Sequence, residues 1–113
     1  MIIDDKSLEK LLIMIFKDIL KISLNKIDIN IEDKIYVVAN MDNMVVKGVV
    51  AFNDDLIVIK GNVKYGMLYL DLNKVLQEYV KNNSFITIIN NNFKINLPIK
   101  LSLINKQIEL EFI

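Results

Sequence analysis

The stretch DLIVIKGNVKYGMLYL, Asp55 to Leu70, decides how the sheet of this protein is built. Gly61-Asn62 is a two-residue hairpin signal that would fold the segment back on itself. The alternative is one long strand, and side-chain parity separates the two. In a continuous strand Ile57, Ile59, Val63, Tyr65, Met67 and Tyr69 share a face with Gly61, while Lys60, Asn62 and Lys64 share the other. In a hairpin closed at Gly61-Asn62, Ile59 would stand opposite Lys64 and Lys60 opposite Val63. The continuous strand is the cleaner reading, and the hairpin stays open as the alternative. A strand this long should bend, and Gly61 and Gly66 are where bending costs least.

Working outward, the preceding segment MVVKGVVAF, Met44 to Phe52, has apolar residues on both parities and reads as a strand buried on two faces, with Gly48 as a bulge. Before it, Ile27, Ile29 and Ile31 alternate with Asp28, Asn30 and Glu32, the period-two pattern of a half-buried strand. Turns are expected at Glu32-Asp33 and Met41-Asp42-Asn43. On the other side, Leu72, Val75, Leu76, Tyr79 and Val80 recur at helical spacing between Asp71 as N-cap and Asn82-Asn83 as stop. Phe93 to Leu103 alternates cleanly, but Pro98 has no amide hydrogen to donate, so this strand should be an edge or break in two near Pro98. Asn105-Lys106 turns the chain into a last strand carrying Ile108, Leu110 and Phe112.

The chain opens with an amphipathic helix, KSLEKLLIMIFKDILKISL, Lys6 to Leu24. Leu8, Leu11, Leu12, Ile15, Phe16, Ile19, Leu20 and Ile22 share one side, and Lys6, Lys10, Lys17 and Lys21 the other. Asp4 is the expected N-cap, with Ile3 and Leu8 placed as a hydrophobic staple. With Ile13 included, the apolar arc spans roughly 200°, about twice the stripe of an ordinary surface helix. Three covers would suit such a helix: a curved sheet, a second copy of the chain, or an apolar ligand or membrane surface. Its six-residue apolar run, Leu11 to Phe16, is far below the roughly 20 residues a membrane span needs, so no transmembrane segment is expected.

Composition narrows function by exclusion. Fourteen Lys balance fourteen Asp and Glu, and the chain has no Arg, so the planar fork that reads phosphates and guanine edges is missing and no nucleic-acid partner is expected. Lack of Cys and His removes disulfides, thiol chemistry, catalytic triads and the usual soft metal ligands. The pairs Asp4-Asp5 and Asp54-Asp55 sit where caps and turns use carboxylates, and Gly48, Gly61 and Gly66 lie in strand patterns rather than a phosphate loop. No enzyme activity, cofactor or metal is expected. The start MIIDDKSLEK places acids where a secretory signal would carry positive charge, so a cytoplasmic location is the expectation. Residues 1–113 read as a single domain.

The fold class expected is therefore α+β: a strongly curved antiparallel sheet packed on an N-terminal amphipathic helix and a second mid-chain helix, in the order α-β4-α-β4. That order resembles the tubular lipid-binding, or TULIP-like, fold. The resemblance implies a groove for a lipid or other apolar small molecule, lined by Leu12, Ile15, Phe16, Ile19, Tyr65, Met67 and Tyr69. The alternative is an assembly protein whose surplus apolar surface and Pro98-bearing edge pair with a protein partner or form a homodimer, burying Ile13, Met14 and Leu20.

Overall fold

The computed structural model describes residues 1–18 and 21–113, so Ile19 and Leu20 lie outside the described residues. Among the described residues the chain is α+β, with two helices and ten strands. In order these are β1 (Ile2–Ile3), α1 (Asp5–Asp18), β2 (Lys26–Ile31), β3 (Ile35–Met41), β4 (Met44–Asn53), β5 (Leu56–Tyr65), β6 (Leu68–Asp71), α2 (Leu72–Val80), β7 (Ile86–Ile89), β8 (Asn92–Ile95), β9 (Ile99–Ile104) and β10 (Gln107–Phe112). The larger sheet runs β2-β3-β4-β5-β8-β7 with β6 also paired to β5, and the smaller runs β1-β10-β9. Every strand pair is antiparallel.

β5 passes unbroken through Gly61-Asn62 and pairs with β4 from Leu56 opposite Asn53 to Tyr65 opposite Met44. The reversal comes later, at Gly66-Met67, so the strand does not run on to Tyr69. Gly66 takes a left-handed backbone at φ +61°, which suits the turn. The new pairing keeps the parity economy: Tyr65 meets Leu68 and Val63 meets Leu70, while Lys64 meets Tyr69 on the opposite face. Five strands therefore separate the helices rather than four, and the short β1 precedes the first helix.

Gly48, expected as a bulge, instead stands in register with Gly61. A methyl group on Gly61 would collide with the backbone carbonyl of Lys47, and one on Gly48 would lie 2.8 Å from Leu72 Cδ2. The glycine pair thus leaves a notch that receives Leu72, the buried first residue of α2. Asp71 caps that helix, accepting hydrogen bonds from the amides of Asn73 and Lys74. The chain breaks at Pro98 as expected: β8 ends at Ile95, β9 begins at Ile99, and the two halves enter different sheets. Asn90-Asn91 and Asn105-Lys106 turn with positive φ at both residues.

The registers put Ile27, Ile29 and Ile31, then Ile35, Val37 and Ala39, then Val46, Val50 and Phe52 on one face, here called inner. The main core gathers Ile27, Ile29, Ile31, Ile35, Ala39 and Ile108, with Leu8 and Leu12 of α1, Ile3, and Leu101 and Leu103 of β9 packed against it. Burial of each large aliphatic side chain contributes about 2 kcal/mol. Asp4 starts α1 by accepting the Ser7 amide at 2.8 Å, and this backbone hydrogen bond holds its carboxyl below the usual carboxylate range. Since the folded pKa is the lower one, the cap's contribution is complete above the unfolded pKa and fades as pH falls through the folded value.

Candidate functional site

Three uncovered features stand out once the packing is laid down, and the first is α1 itself. The helix lies along β2, the terminal strand of the large sheet, where the Ile29 amide donates to Glu9 Oε1 at 3.0 Å and so occupies an otherwise open strand edge. Even so, none of the fourteen residues of α1 is buried, and Leu11, Ile13 and Met14 are exposed.

The second feature is a pair of clefts, of which the first, about 260 Å³, is bordered by both sheets. Phe52, Leu56, Ile57, Ile95, Ile99 and Leu101 give it an apolar lining, and Asp54, Asp55 and Lys100 are its polar members. Asp55 pairs with Lys94 at 3.4 Å. A second, polar cleft lies where the far edge of β5 is shared between two partners. β8 takes Leu56 and Ile57, and β6 takes Asn62 to Tyr65. Between them the Asn73 side-chain Nδ2 donates to the backbone carbonyls of Ile59 at 2.9 Å and Asn91 at 2.8 Å, tying α2 and the β7–β8 turn to the open stretch.

The third feature is the β5–β6 hairpin with the outer face of the large sheet. All four residues of β6 are exposed, and Met67 at the turn is 98% exposed. Tyr65, Leu68, Tyr69 and Leu70 are also exposed, and Lys64 Nζ lies 5.6 Å from the centre of the Tyr69 ring. On the outer face the registers bring Lys47 opposite Asn62, and Lys60 and Lys64 to the diagonal positions. Val45, Val49 and Val58 lie among them, half-buried, with Tyr36 and Val38 exposed beside them on β3. β4, expected to be buried on two faces, has its inner face against the core and its outer face only half covered.

The residues expected to line one groove fall into two places. Leu12 packs on the main core, and Ile15 and Phe16 are half-buried on the same helix. Tyr65, Met67 and Tyr69 sit together on the exposed hairpin. Ile19 is outside the described residues, and neither cleft is lined by any of the seven. Of the alternative set, Ile13 and Met14 are exposed, and Leu20 is outside the described residues. Parity alone put Lys60 and Lys64 on one face; their grouping with Lys47 needed the Gly48–Gly61 register, for which the sequence offers only the two glycines as a hint.

Among the described residues no group of three or more acidic side chains is placed to hold a metal ion, and no helix is long and apolar enough to cross a membrane. Comparison with protein-family models, with curated proteins and with solved structures gives no match.

Proposed function

We propose that the protein is a non-catalytic interaction module whose apolar surface is completed by a partner protein or a second copy of itself docked on α1. The observation that carries this reading is the helix: a wide apolar arc without one buried residue. Its surroundings agree in magnitude. The accessible surface is 7925 Å², roughly 1,500 Å² above the value of about 6,400 Å² expected for a compact monomer of this mass. A standard interface removes about 800 Å² from each partner, so the surplus is nearly twice what one such interface would cover. Zero formal net charge lets copies approach without long-range repulsion.

A second reading has its own support in the cleft between the sheets. Its apolar lining suits a lipid tail or other apolar small molecule, in keeping with a TULIP-like, strongly curved sheet around its helices, though the seat would be Phe52, Ile57, Ile95, Ile99 and Leu101 rather than the α1 side. Native mass spectrometry of the protein purified from cells separates the two. A dimer or a stoichiometric protein complex that dissociates in the Ile13→Asp/Met14→Asp variant is the expected result. A monomer carrying the mass of one lipid would replace this reading with the ligand one, and a bare monomer at every accessible concentration would remove both.

A further inference from the structure

The β5–β6 hairpin and the lysines behind it combine two properties that no packing within the chain explains. The tip is apolar and aromatic yet stands uncovered at the end of the sheet, with Tyr65, Met67, Leu68 and Tyr69 all exposed. Beside it, Lys64, Lys47 and Lys60 gather on one sheet face, and among the described residues none of the three has a carboxylate within 4 Å. The nearby acids are few. Asp71 is engaged as the cap of α2, and Asp42 stands in the neighbouring β3–β4 turn.

From this juxtaposition we infer that the hairpin is a docking device for an anionic lipid bilayer, with Met67 at the turn and Tyr69 on the lysine face entering the headgroup boundary and the three lysines resting on the charged surface. Tyrosine suits that depth because its ring is apolar and its hydroxyl polar. Lysine suits it because the stem follows apolar surface while the ammonium reaches the headgroups. The lysines stand at increasing distance from the tip: Lys64 is two residues from Gly66-Met67 along the strand, Lys60 four residues further back, and Lys47 between them across the β4–β5 register. The sheet therefore meets the bilayer tilted onto its outer face.

Other occupants fit less well. A second copy seated face to face would bring the lysine triangle against its own image, which like-charge repulsion opposes. Nucleic acid would meet lysine ammoniums and no arginine fork. The proposal does not depend on α1, which lies along the other end of the sheet order at β2.

Because the chain contains no Trp, Met67→Trp supplies a single indole at the tip, excited selectively at wavelengths where Tyr does not absorb. Its emission is expected to shift to the blue on addition of phosphatidylcholine vesicles containing phosphatidylserine, to shift little with pure phosphatidylcholine, and to lose the shift in high salt. In co-sedimentation of the otherwise wild-type chain with the same vesicles, changing Lys47, Lys60 and Lys64 together to Gln should weaken binding on the order of 100-fold. All three substitutions are on exposed side chains, and circular dichroism checks that the variant folds. Should that variant not fold, the salt dependence measured on Met67→Trp alone decides. Equal response to neutral and anionic vesicles, no response to either, or a blue shift that appears with protein concentration and without vesicles would each overturn the inference, the last in favour of self-association.

Discussion

Two hairpins of the large sheet carry nearly the same alternation and meet opposite fates. In β2–β3, Ile27, Ile29, Ile31, Ile35, Ala39 and Met41 are all buried. In β5–β6, Val63 is buried, but Tyr65, Leu68 and Leu70 on the same face are exposed. The difference lies in what covers them. α1 and the small sheet pack on the first hairpin, while α2 reaches only the base of the second, through Leu72 at the Gly48–Gly61 notch. Alternation therefore specifies a face, and only a second layer makes that face a core. The hairpin without that layer is the one on which an external partner can act.

The comparison breaks most sharply at its buried end. Ile31 is 2% exposed, so Ile31→Ala should cost about 3–4 kcal/mol in urea unfolding through lost burial and the cavity left behind. A loss below about 1 kcal/mol would mean that the two hairpins do not differ in packing as described.

Next in size is a pair of glycines on one strand and its turn. Gly61→Ala would drive a methyl group into the Lys47 carbonyl and also demands φ +152°, so a loss of about 2–3 kcal/mol is expected. Gly66→Ala meets no atom within 4 Å and suffers only from φ +61°, for about 1 kcal/mol. Equal losses would show that close approach at Gly61 is relieved by strand movement. Asp71→Ala follows at about 1 kcal/mol, because it leaves two amides at the start of α2 without their acceptor.

How much of this was legible follows from the range of each interaction. The helix starts at Asp4 and Asp71, the turns at Asn90-Asn91 and Asn105-Lys106, and the break at Pro98 are settled within a few residues, and the sequence shows them directly. The turn at Gly66-Met67 was missed because Tyr65, Met67 and Tyr69 keep strand parity straight through it, and only pairing with β6 distinguishes a bend from a reversal. The expected groove divided for the same reason. Leu12 and Tyr65 each lie on the apolar face of their own element, yet one is on a helix beside β2 and the other at the far end of β5, a separation set by the strand order rather than by local pattern. The inter-sheet cleft collects Phe52, Ile57, Ile95 and Leu101 from four strands, and no short-range signal joins them.

The smallest effect on stability is expected at the exposed end, and it sharpens the comparison most. Met67→Ser and Leu68→Ser remove apolar side chains that have little protein around them, so each should change unfolding free energy by less than about 0.5 kcal/mol, against the several kcal/mol at Ile31. Burial energy comes from surface removed from water, and Met67 has removed almost none. Urea unfolding monitored by circular dichroism at low protein concentration checks this without interference from association. A loss near 2 kcal/mol for Leu68→Ser would mean that the inner face of β6 is covered in solution, by a second copy or by closure of the hairpin toward α2. A negligible loss leaves those side chains with no stabilising role inside the fold, and their presence on the hairpin is then accounted for only by what the hairpin touches outside it.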